Sequence, residues 1–309
     1  MKNQTVFFLL ILLASAFVSC EKNDCPYQDE RFCDQAYRDS LANINPDSTD
    51  TLSETYVEYP ASVYQNHLKN GMLEYFTGFR CQNCPPASAT ANNLKTQLGE
   101  RLVLVFVHAT PQFAAPINPA PEIYSTDFRT AQGEQYISAF QISGLPNGTV
   151  NRRNFGNGIV VPAGDWSSRL EDELAESPQA FLEIRSITLS ENSAMMTVQM
   201  AVKPLVNLTG SYNLSVGITE SGIIEGQKNG SIDVYPYTHN HVFRGNVNGL
   251  YGQTVLTGNE VLTASQSLLF NFDVAVQENW IIANCKVFAY LHDTDSREII
   301  QSTERKVLD

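Results

Sequence analysis

A chain of 309 residues is long enough to form two domains with additional terminal segments, and a hydrophobic content of 43% is sufficient to build their cores. The formal net charge of −13 argues against a protein that binds nucleic acid or an anionic membrane surface, because both of these carry negative charge themselves. No internal apolar run is long enough to predict a membrane-spanning helix.

Residues 1–19 predict a signal peptide. Lys2 supplies its basic end, and residues 6–18 supply its apolar core. The end of this segment at Cys20 resembles a bacterial lipoprotein signal, in which the cysteine is acylated and becomes the mature N-terminus, although Phe17 departs from the usual leucine. Ordinary cleavage that leaves Cys20 as a free thiol is the alternative. Export by either route predicts a compartment in which disulfides persist.

Residues 20–66 predict an acidic tether. Ten acidic side chains against three basic ones give residues 21–66 a net charge of −7. Cys25 and Cys33 predict a local disulfide, because exported chains seldom leave such neighbours reduced. Three tripeptides that begin with Asp resemble O-glycosylation sites of Gram-negative envelopes, with chance occurrence in a Ser/Asp-rich linker as the alternative. The candidate acceptors are Ser40, Ser48 and Thr51.

Residues 67–177 alternate between strand-like and helix-like patterns, which predicts an α/β domain. Residues 101–109 form a nearly continuous apolar run, as expected of a central strand that is buried on both faces. A proline-rich loop at 110–123 follows this strand. The other predicted elements are a strand at 72–77, a helix at 86–98, a helix at 127–140, a strand after Pro146 and a helix at 165–176.

Cys81 and Cys84 lie where the first strand gives way to a helix, an arrangement that resembles a thioredoxin-type redox site. The thiolate is the reactive form of cysteine, and both a helix N-terminus and the neighbouring Arg80 would favour it at Cys81. Cys84 would resolve a mixed disulfide by attacking Cys81, so the pair predicts a reversible Cys81–Cys84 disulfide. A static disulfide that clamps the strand–helix corner is the alternative.

Two further residues complete the predicted site. Pro146 resembles the cis proline that lies against the dithiol of thioredoxin-like folds and docks the substrate strand. Glu74, seven positions before Cys81, is either a buried acid that moves protons to the resolving thiol or an ordinary edge or solvent-facing carboxylate.

The proline-rich loop is expected to border the dithiol. If the strands at 72–77 and 101–109 run parallel, their carboxyl ends lie together, which is where open α/β sheets bind ligands. Phe113 and Tyr124 then either form a wall for a substrate or simply cover the core.

Metal binding is less favoured than redox chemistry. Zinc would need a second close pair of ligands beside the CxxC motif, and the sequence offers none. His239 and His241 lie far along the chain without an evident third ligand, so a structural or surface pair is favoured over a metal site.

After Pro178 the apolar residues alternate with a period of two, which predicts an immunoglobulin-like or fibronectin-like sandwich over residues 178–309. Asn/Gly-rich segments at 227–230 and 246–252 predict loops. Cys285 shares a strand face with apolar residues and is expected to be a buried, reduced and unreactive thiol. About seven strands are predicted, at 181–189, 196–202, 214–218, 241–244, 268–276, 287–291 and 298–302.

Several local motifs together resemble the outer membrane protein 28 family of Gram-negative envelope lipoproteins. They are residues 73–78 leading to the segment 81–85, residues 145–152, residues 239–244 and the lipoprotein-like start. The resemblance implies an α/β thioredoxin-like domain followed by an all-β immunoglobulin/fibronectin-like sandwich. It also implies an anchor in the outer membrane, facing the periplasm or the cell surface, but no settled activity.

Two functions are carried forward as alternatives. In the first, a lipid-anchored envelope protein exchanges disulfides with a protein or peptide partner, with Cys81 as nucleophile, Cys84 as resolver and Pro146 as dock. In the second, a non-enzymatic surface protein binds a partner through the sandwich and the proline-rich loop, and the disulfide is structural. A component of a larger outer-membrane assembly is a third, less favoured hypothesis. No cofactor, metal or nucleic acid is predicted for any of them, and the accessibility and reduction potential of the dithiol separate the first two.

Overall fold

The computed structural model describes residues 61–65, 67–117 and 123–308, which belong to one compact unit. Within these ranges no helix is long and apolar enough to cross a membrane. The predicted signal peptide, the Cys20 acylation site and nearly all of the predicted tether lie outside the described residues. The same holds for the predicted Cys25–Cys33 disulfide and for the candidate glycosylation sites Ser40, Ser48 and Thr51.

Five α-helices lie in the described part of the chain. The helix predicted at 127–140 is shorter than expected, because Asp127 pairs with the guanidinium of Arg129 at 2.7 Å and Thr130 caps the helix. The hydroxyl of Thr130 accepts a hydrogen bond of 2.9 Å from the backbone N–H of Gly133. The helices are α1 (Ala61–Gln65), α2 (Cys84–Leu98), α3 (Pro111–Ala114), α4 (Ala131–Ala139) and α5 (Trp166–Leu174).

Sixteen strands lie in the same described ranges, and each of the seven strands predicted after residue 177 has a counterpart among them. The strands are β1 (Gly71–Thr77), β2 (Leu102–His108), β3 (Asn147–Val150), β4 (Val160–Val161), β5 (Ala180–Leu189), β6 (Met195–Pro204), β7 (Leu208–Thr209), β8 (Tyr212–Glu220), β9 (Ile223–Asn229), β10 (Ile232–His239), β11 (Val242–Asn246), β12 (Gln253–Leu256), β13 (Val261–Leu262), β14 (Leu268–Ala275), β15 (Cys285–Asp293) and β16 (Ile299–Lys306).

One large sheet connects the α/β region to the β-rich region. Its strand order is β16-β15-β8-β11-β2-β1-β3-β4, with β12 paired to β8. The parallel pairing expected for β1 and β2 is present, with Met72 opposite Val103, and β3 runs antiparallel to β1. On its other side β2 pairs with β11, where Val242 lies opposite Phe106. The predicted domain boundary at 177/178 falls between α5 and β5. The regions on either side of this boundary contribute strands to the same sheet.

A second layer covers the β-rich end of this sheet. Strands β5, β6 and β14 form a three-stranded antiparallel sheet, in which Val198 pairs with Ile187 and Phe272. Its inward side chains, such as Met200, share one apolar core with Leu214 and Val287 of the large sheet. Two β-layers that face one another across an apolar core are consistent with a β-sandwich.

The segment predicted as a loop at 227–230 is instead part of a β-hairpin, which corrects that prediction. Strand β9 continues to Asn229, turns at Gly230, which has φ +59°, and returns as β10. The hairpin escapes recognition because β9 carries Glu225, Gln227 and Lys228 among few apolar residues, so it lacks the period-two pattern of a half-buried strand.

Successive side chains of β1 point to opposite faces of the large sheet. Leu73 and Tyr75 lie in the apolar cluster that contains Cys81 and Cys84. Met72 and Phe76 lie in the cluster on the other face, together with Tyr136 and Phe140 of the α4 region. The dithiol and Glu74 are therefore on different sides of the sheet, because Glu74 shares the even-numbered face.

Candidate functional site

The dithiol lies in the turn that connects β1 to α2, where the sequence places it. A Cβ atom at Gly78 would come within 2.5 Å of the Phe113 carbonyl oxygen, so only glycine allows this turn to approach the loop after β2. The backbone N–H of Arg80 donates to the same carbonyl oxygen at 3.0 Å. Cys81 and Cys84 form a disulfide with Cα atoms 5.4 Å apart.

The start of α2 differs from the expected arrangement. The helix begins at Cys84, and Cys81 lies three residues before it, so the argument that a helix end favours the Cys81 thiolate is weaker than predicted. Pro85 and Pro86 occupy the next two positions and have no backbone N–H to donate. The positive end of the helix is therefore closer to Cys84, with fewer donors than most helices offer.

Cys84 lies deeper in the structure than Cys81. Cys84 is completely buried, and Cys81 exposes 2% of its surface. The carbonyl oxygen of Cys84 accepts hydrogen bonds from the Tyr75 hydroxyl at 2.8 Å and the Ser88 hydroxyl at 3.2 Å. Burial raises the pKa of Tyr75 to about 12, so this hydroxyl stays protonated and can donate throughout the physiological range. The inner cysteine is thus held by hydroxyl groups rather than by a carboxylate.

The β9–β10 hairpin ties down the dithiol turn from a distant part of the chain. The backbone N–H of Lys228 donates to the Phe79 carbonyl at 2.7 Å, and that of Gly230 donates to the Gln82 carbonyl at 3.0 Å. The side-chain amide of Gln227 donates to the Cys81 carbonyl at 3.3 Å. The hairpin is the main element of the site that the sequence did not reveal.

A cavity of about 570 Å³ opens beside Cys81. Phe113 and Tyr124 line it, as one of the two sequence alternatives proposed. Tyr124 also covers core, since it is 5% exposed and packs edge-on against Phe79, with ring centroids 5.2 Å apart. Leu145 contributes another wall, and the Leu145–Pro146 peptide bond is cis.

Arg80 borders the same cavity, but its guanidinium bonds to the loop after β2 rather than to the dithiol. Its Nη2 donates to the Pro111 carbonyl oxygen at 2.6 Å. Burial, together with the charge of the nearby Arg129, lowers the pKa of Arg80, although an arginine remains protonated. Among the described residues, the Arg80 guanidinium makes no hydrogen bond to Cys81. The predicted effect of Arg80 on the Cys81 thiolate therefore stays a prediction.

Neither role predicted for Glu74 is correct. The carboxylate is buried on the sheet face opposite the dithiol and forms a two-pronged ion pair with Arg152, at 2.7 Å to Nε and 2.5 Å to Nη2. The Thr149 hydroxyl donates a further bond of 2.7 Å. A carboxylate held in this way on the far face cannot move protons to Cys84, and it is not solvent-facing.

The guanidinium of Arg152 lies in an aromatic cage. Its Cζ is 5.0 Å from the Tyr136 ring centroid, 4.9 Å from that of Phe140 and 4.7 Å from that of Tyr290. Its Nη2 also donates to the Tyr290 hydroxyl at 2.9 Å. Because Tyr290 belongs to β15, this buried pair connects the α/β region with the β-rich region.

The two predicted histidines lie apart from any evident metal site. His239 is buried with Nε2 3.2 Å from the Gly226 carbonyl oxygen, and burial lowers its pKa to about 4. Burial likewise lowers the pKa of His241 to about 4. Over residues 61–65, 67–117 and 123–308, no group of three His, Cys, Asp or Glu side chains is placed to hold a metal ion.

Cys285 lies where its strand pattern places it. The side chain is 1% exposed, unpaired with another cysteine and packed in the sandwich core beside Val287 and Leu291. Burial raises its pKa to about 12, so the thiolate is not populated at neutral pH. This confirms the predicted orientation of Cys285.

The fold is similar to that of a known structure. HBP35 of Porphyromonas gingivalis aligns with a TM-score of 0.58 at 16% identity, over 77% of this chain and 75% of that chain, which shows similarity of fold alone. A domain of the outer membrane lipoprotein Omp28 from Porphyromonas gingivalis aligns with a TM-score of 0.29 at 17% identity, over 42% of this chain and 89% of that chain. No curated protein matches the chain.

The sequence profile of the family described as outer membrane protein Omp28 matches residues 133–309, more than half of the chain. The match confirms the family that the motifs resembled and, with it, the outer membrane as the location. Cys81 and Cys84 lie outside the matched residues, so the match is silent on the dithiol. The chain belongs to the outer membrane protein Omp28 family of outer-membrane lipoproteins.

Proposed function

We propose that this outer-membrane protein is anchored through an acylated Cys20 and exchanges disulfides through Cys81 and Cys84. One observation carries the proposal. Cys81 lines an open cavity, whereas Cys84 lies fully buried behind it, and exchange requires this difference between an attacked and a resolving sulfur. The ligand in the cavity would be a cysteine-containing polypeptide of the envelope.

A thioredoxin-like assignment of residues 67–177 supports this proposal. The dithiol follows β1, which pairs in parallel with β2 and antiparallel with β3. The cis Leu145–Pro146 bond lies just before β3, and Leu145 reaches the cavity next to Cys81. We assign residues 178–309 to an immunoglobulin-like sandwich as part of the same proposal.

Exchange proceeds in two successive thiol–disulfide steps at Cys81. A substrate thiolate attacks Cys81 Sγ, a new intermolecular S–S bond forms, and the Cys81–Cys84 bond breaks with the electron pair on Cys84 Sγ. A second substrate thiol then attacks the mixed disulfide and releases Cys81. The substrate is oxidised to a disulfide, and the two cysteines of the protein are reduced. In the reverse sequence the Cys81 thiolate attacks a substrate disulfide and Cys84 resolves the mixed disulfide by attacking Cys81 Sγ, so that the substrate is reduced and the Cys81–Cys84 disulfide is restored.

The surroundings of the dithiol predict moderate reactivity. The thiolate left on Cys84 lies at the positive end of α2, which favours it, but Pro85 and Pro86 remove two donors that would stabilise it further. Glu74 is unavailable as a proton carrier because it is paired with Arg152. Protons therefore reach this site from solvent or from hydroxyl groups rather than from a buried acid.

A structural disulfide within a binding protein is the second candidate. The observation that favours it is the hairpin, whose backbone N–H groups at Lys228 and Gly230 hold both sides of the dithiol turn. With Cys81 only 2% exposed, this hairpin would have to yield before a large partner could reach the sulfur. In this candidate the cavity binds a partner without any covalent step.

Redox titration followed by alkylation distinguishes the two candidates. For exchange, a dithiol buffer should reduce the native protein, and mass mapping should find the first alkylation at Cys81, which lines the cavity, rather than at the buried Cys84. Cys84→Ser should keep this reactivity and form stable mixed disulfides in cells, whereas Cys81→Ser should lose both. Cys285 serves as the internal control, because its labelling would reveal unfolded protein. Resistance of the disulfide until the protein unfolds would favour the structural candidate.

A further inference from the structure

The charges around the Cys81 cavity are unevenly neutralised. Lys228 and Asp233 both line the cavity and form an ion pair of 3.0 Å with one another. The Tyr124 hydroxyl donates to the same Asp233 carboxylate at 2.7 Å. Lys228 and Asp233 are therefore paired within the protein. Arg80 is the other cation that lines the cavity.

Arg80 has no carboxylate partner among residues 61–65, 67–117 and 123–308. Within those ranges its guanidinium donates one hydrogen bond, to the Pro111 carbonyl oxygen, and its Nε is buried without a partner. Arg129, the neighbouring cation, is already paired with Asp127 at 2.7 Å. An arginine presents a planar fork of donors that matches a carboxylate. This position is notable in a chain with a net charge of −13, where carboxylates are abundant.

From this arrangement we infer that Arg80 selects polypeptides that carry a carboxylate side chain next to the cysteine that reacts with Cys81. The inference rests on the proposed function and assigns the substrate class of the same site. Phe113 and Leu145 add apolar surface to the lining of the cavity, which suits the backbone and aliphatic part of the docked segment. Repulsion by the acidic protein as a whole is screened over about 8 Å at physiological ionic strength, so the contact with Arg80 prevails at short range.

Synthetic peptides test this selection with the full-length oxidised protein. Three reduced peptides differ in one residue beside a single cysteine, which is Asp, Asn or Lys, and the rate of reduction of the Cys81–Cys84 disulfide is measured for each. Two peptide thiols are consumed per protein disulfide, and the peptide disulfide is the product. Each rate is divided by the rate of the same peptide with a small neutral disulfide, which removes the effect of the neighbouring charge on the peptide thiol.

The wild-type protein should prefer the Asp peptide over the Asn peptide roughly threefold to tenfold, between the effects of an exposed ion pair and a buried charged hydrogen bond. Arg80→Gln should abolish this preference, and Arg80→Lys should retain part of it. Arg169→Gln is the matched control, because it removes the same charge from an exposed position on α5 and should keep the preference. High salt should reduce the preference in the wild type.

Equal normalised rates for the Asp and Asn peptides in the wild type would overturn the inference while leaving exchange itself intact. If no peptide reduces the disulfide, the proposed exchange function is wrong, whatever the role of Arg80. The selection by Arg80 is then tested by equilibrium binding of peptides in which Ser replaces Cys, because these peptides cannot react with the disulfide. Tighter binding of the Asp version that depends on Arg80 would uphold it, and equal binding would overturn it. Competition by inorganic phosphate, but not by acetate, at equal concentration would also overturn the carboxylate assignment.

Discussion

Replacing Glu74 by glutamine should destabilise the protein markedly, because it leaves the Arg152 charge buried without a counter-charge. Glu74 is 2% exposed and Arg152 is 1% exposed. Both carboxylate oxygens accept an N–H of Arg152, so whichever way the glutamine amide is turned, its NH₂ group faces a guanidinium donor. The two side chains have nearly the same volume, so the change tests charge rather than packing.

Breaking a buried ion pair by removing one partner typically costs about 3–5 kcal/mol. The three aromatic rings within 5.0 Å of the Arg152 Cζ retain part of the stabilisation, so we expect a loss of about 3 kcal/mol for Glu74→Gln. This is a large part of a domain stability of roughly 5–15 kcal/mol. It corresponds to a decrease in Tm of about 6–12 °C for a unit of this size.

Urea unfolding followed by fluorescence measures this loss as a change in the free energy of unfolding. Asp172→Asn is the control, since its pair with Arg169 has a distance of 3.5 Å, with side chains 61% and 38% exposed, and should change stability by less than about 1 kcal/mol. The double variant Glu74→Leu/Arg152→Met should recover most of the loss, because an apolar pair removes the buried charge altogether. A Glu74→Gln variant as stable as Asp172→Asn would refute the reasoning.

The remaining predictions concern a buried carboxylate, a thiol and the lipid anchor. Burial opposes ionisation of Glu225, but the backbone amides of Gly226 and of residues 124–126 outweigh it and lower its pKa from 4.5. Its stabilisation is therefore present above about pH 4.5 and is lost as the pH falls through the folded pKa. Glu225→Gln should flatten the decline in unfolding free energy below pH 4.5, and an unchanged profile would count against this role. Cys285 should resist thiol reagents at neutral pH until urea unfolds the protein, and rapid labelling of the native state would show that it is accessible after all. Cys20→Ala should release the protein from the membrane fraction or block its processing, whereas unchanged membrane association with normal signal removal would exclude acylation.

Much of the local structure follows from patterns in the amino-acid sequence. The continuous apolar run at 101–109 identified a strand buried on both faces, because only the centre of a covered sheet excludes polar residues in this way. The period of two after Pro178 identified the strands of the β-rich region and the inward direction of Cys285, since alternation in a strand fixes which side chains share a face. The CxxC pair between a strand and a helix located the disulfide.

Which distant residues contact one another depends on the tertiary structure. Glu74 lies in a strand that is buried on both faces, so periodicity could not show that its side chain points away from the dithiol toward Arg152. The hairpin over the dithiol turn begins more than 140 positions after Cys81, and its polar strands carry no local signal. Local patterns record the face on which a residue lies, but the partner across that face depends on the pairing of strands far apart in the chain, which forms only when the whole core packs.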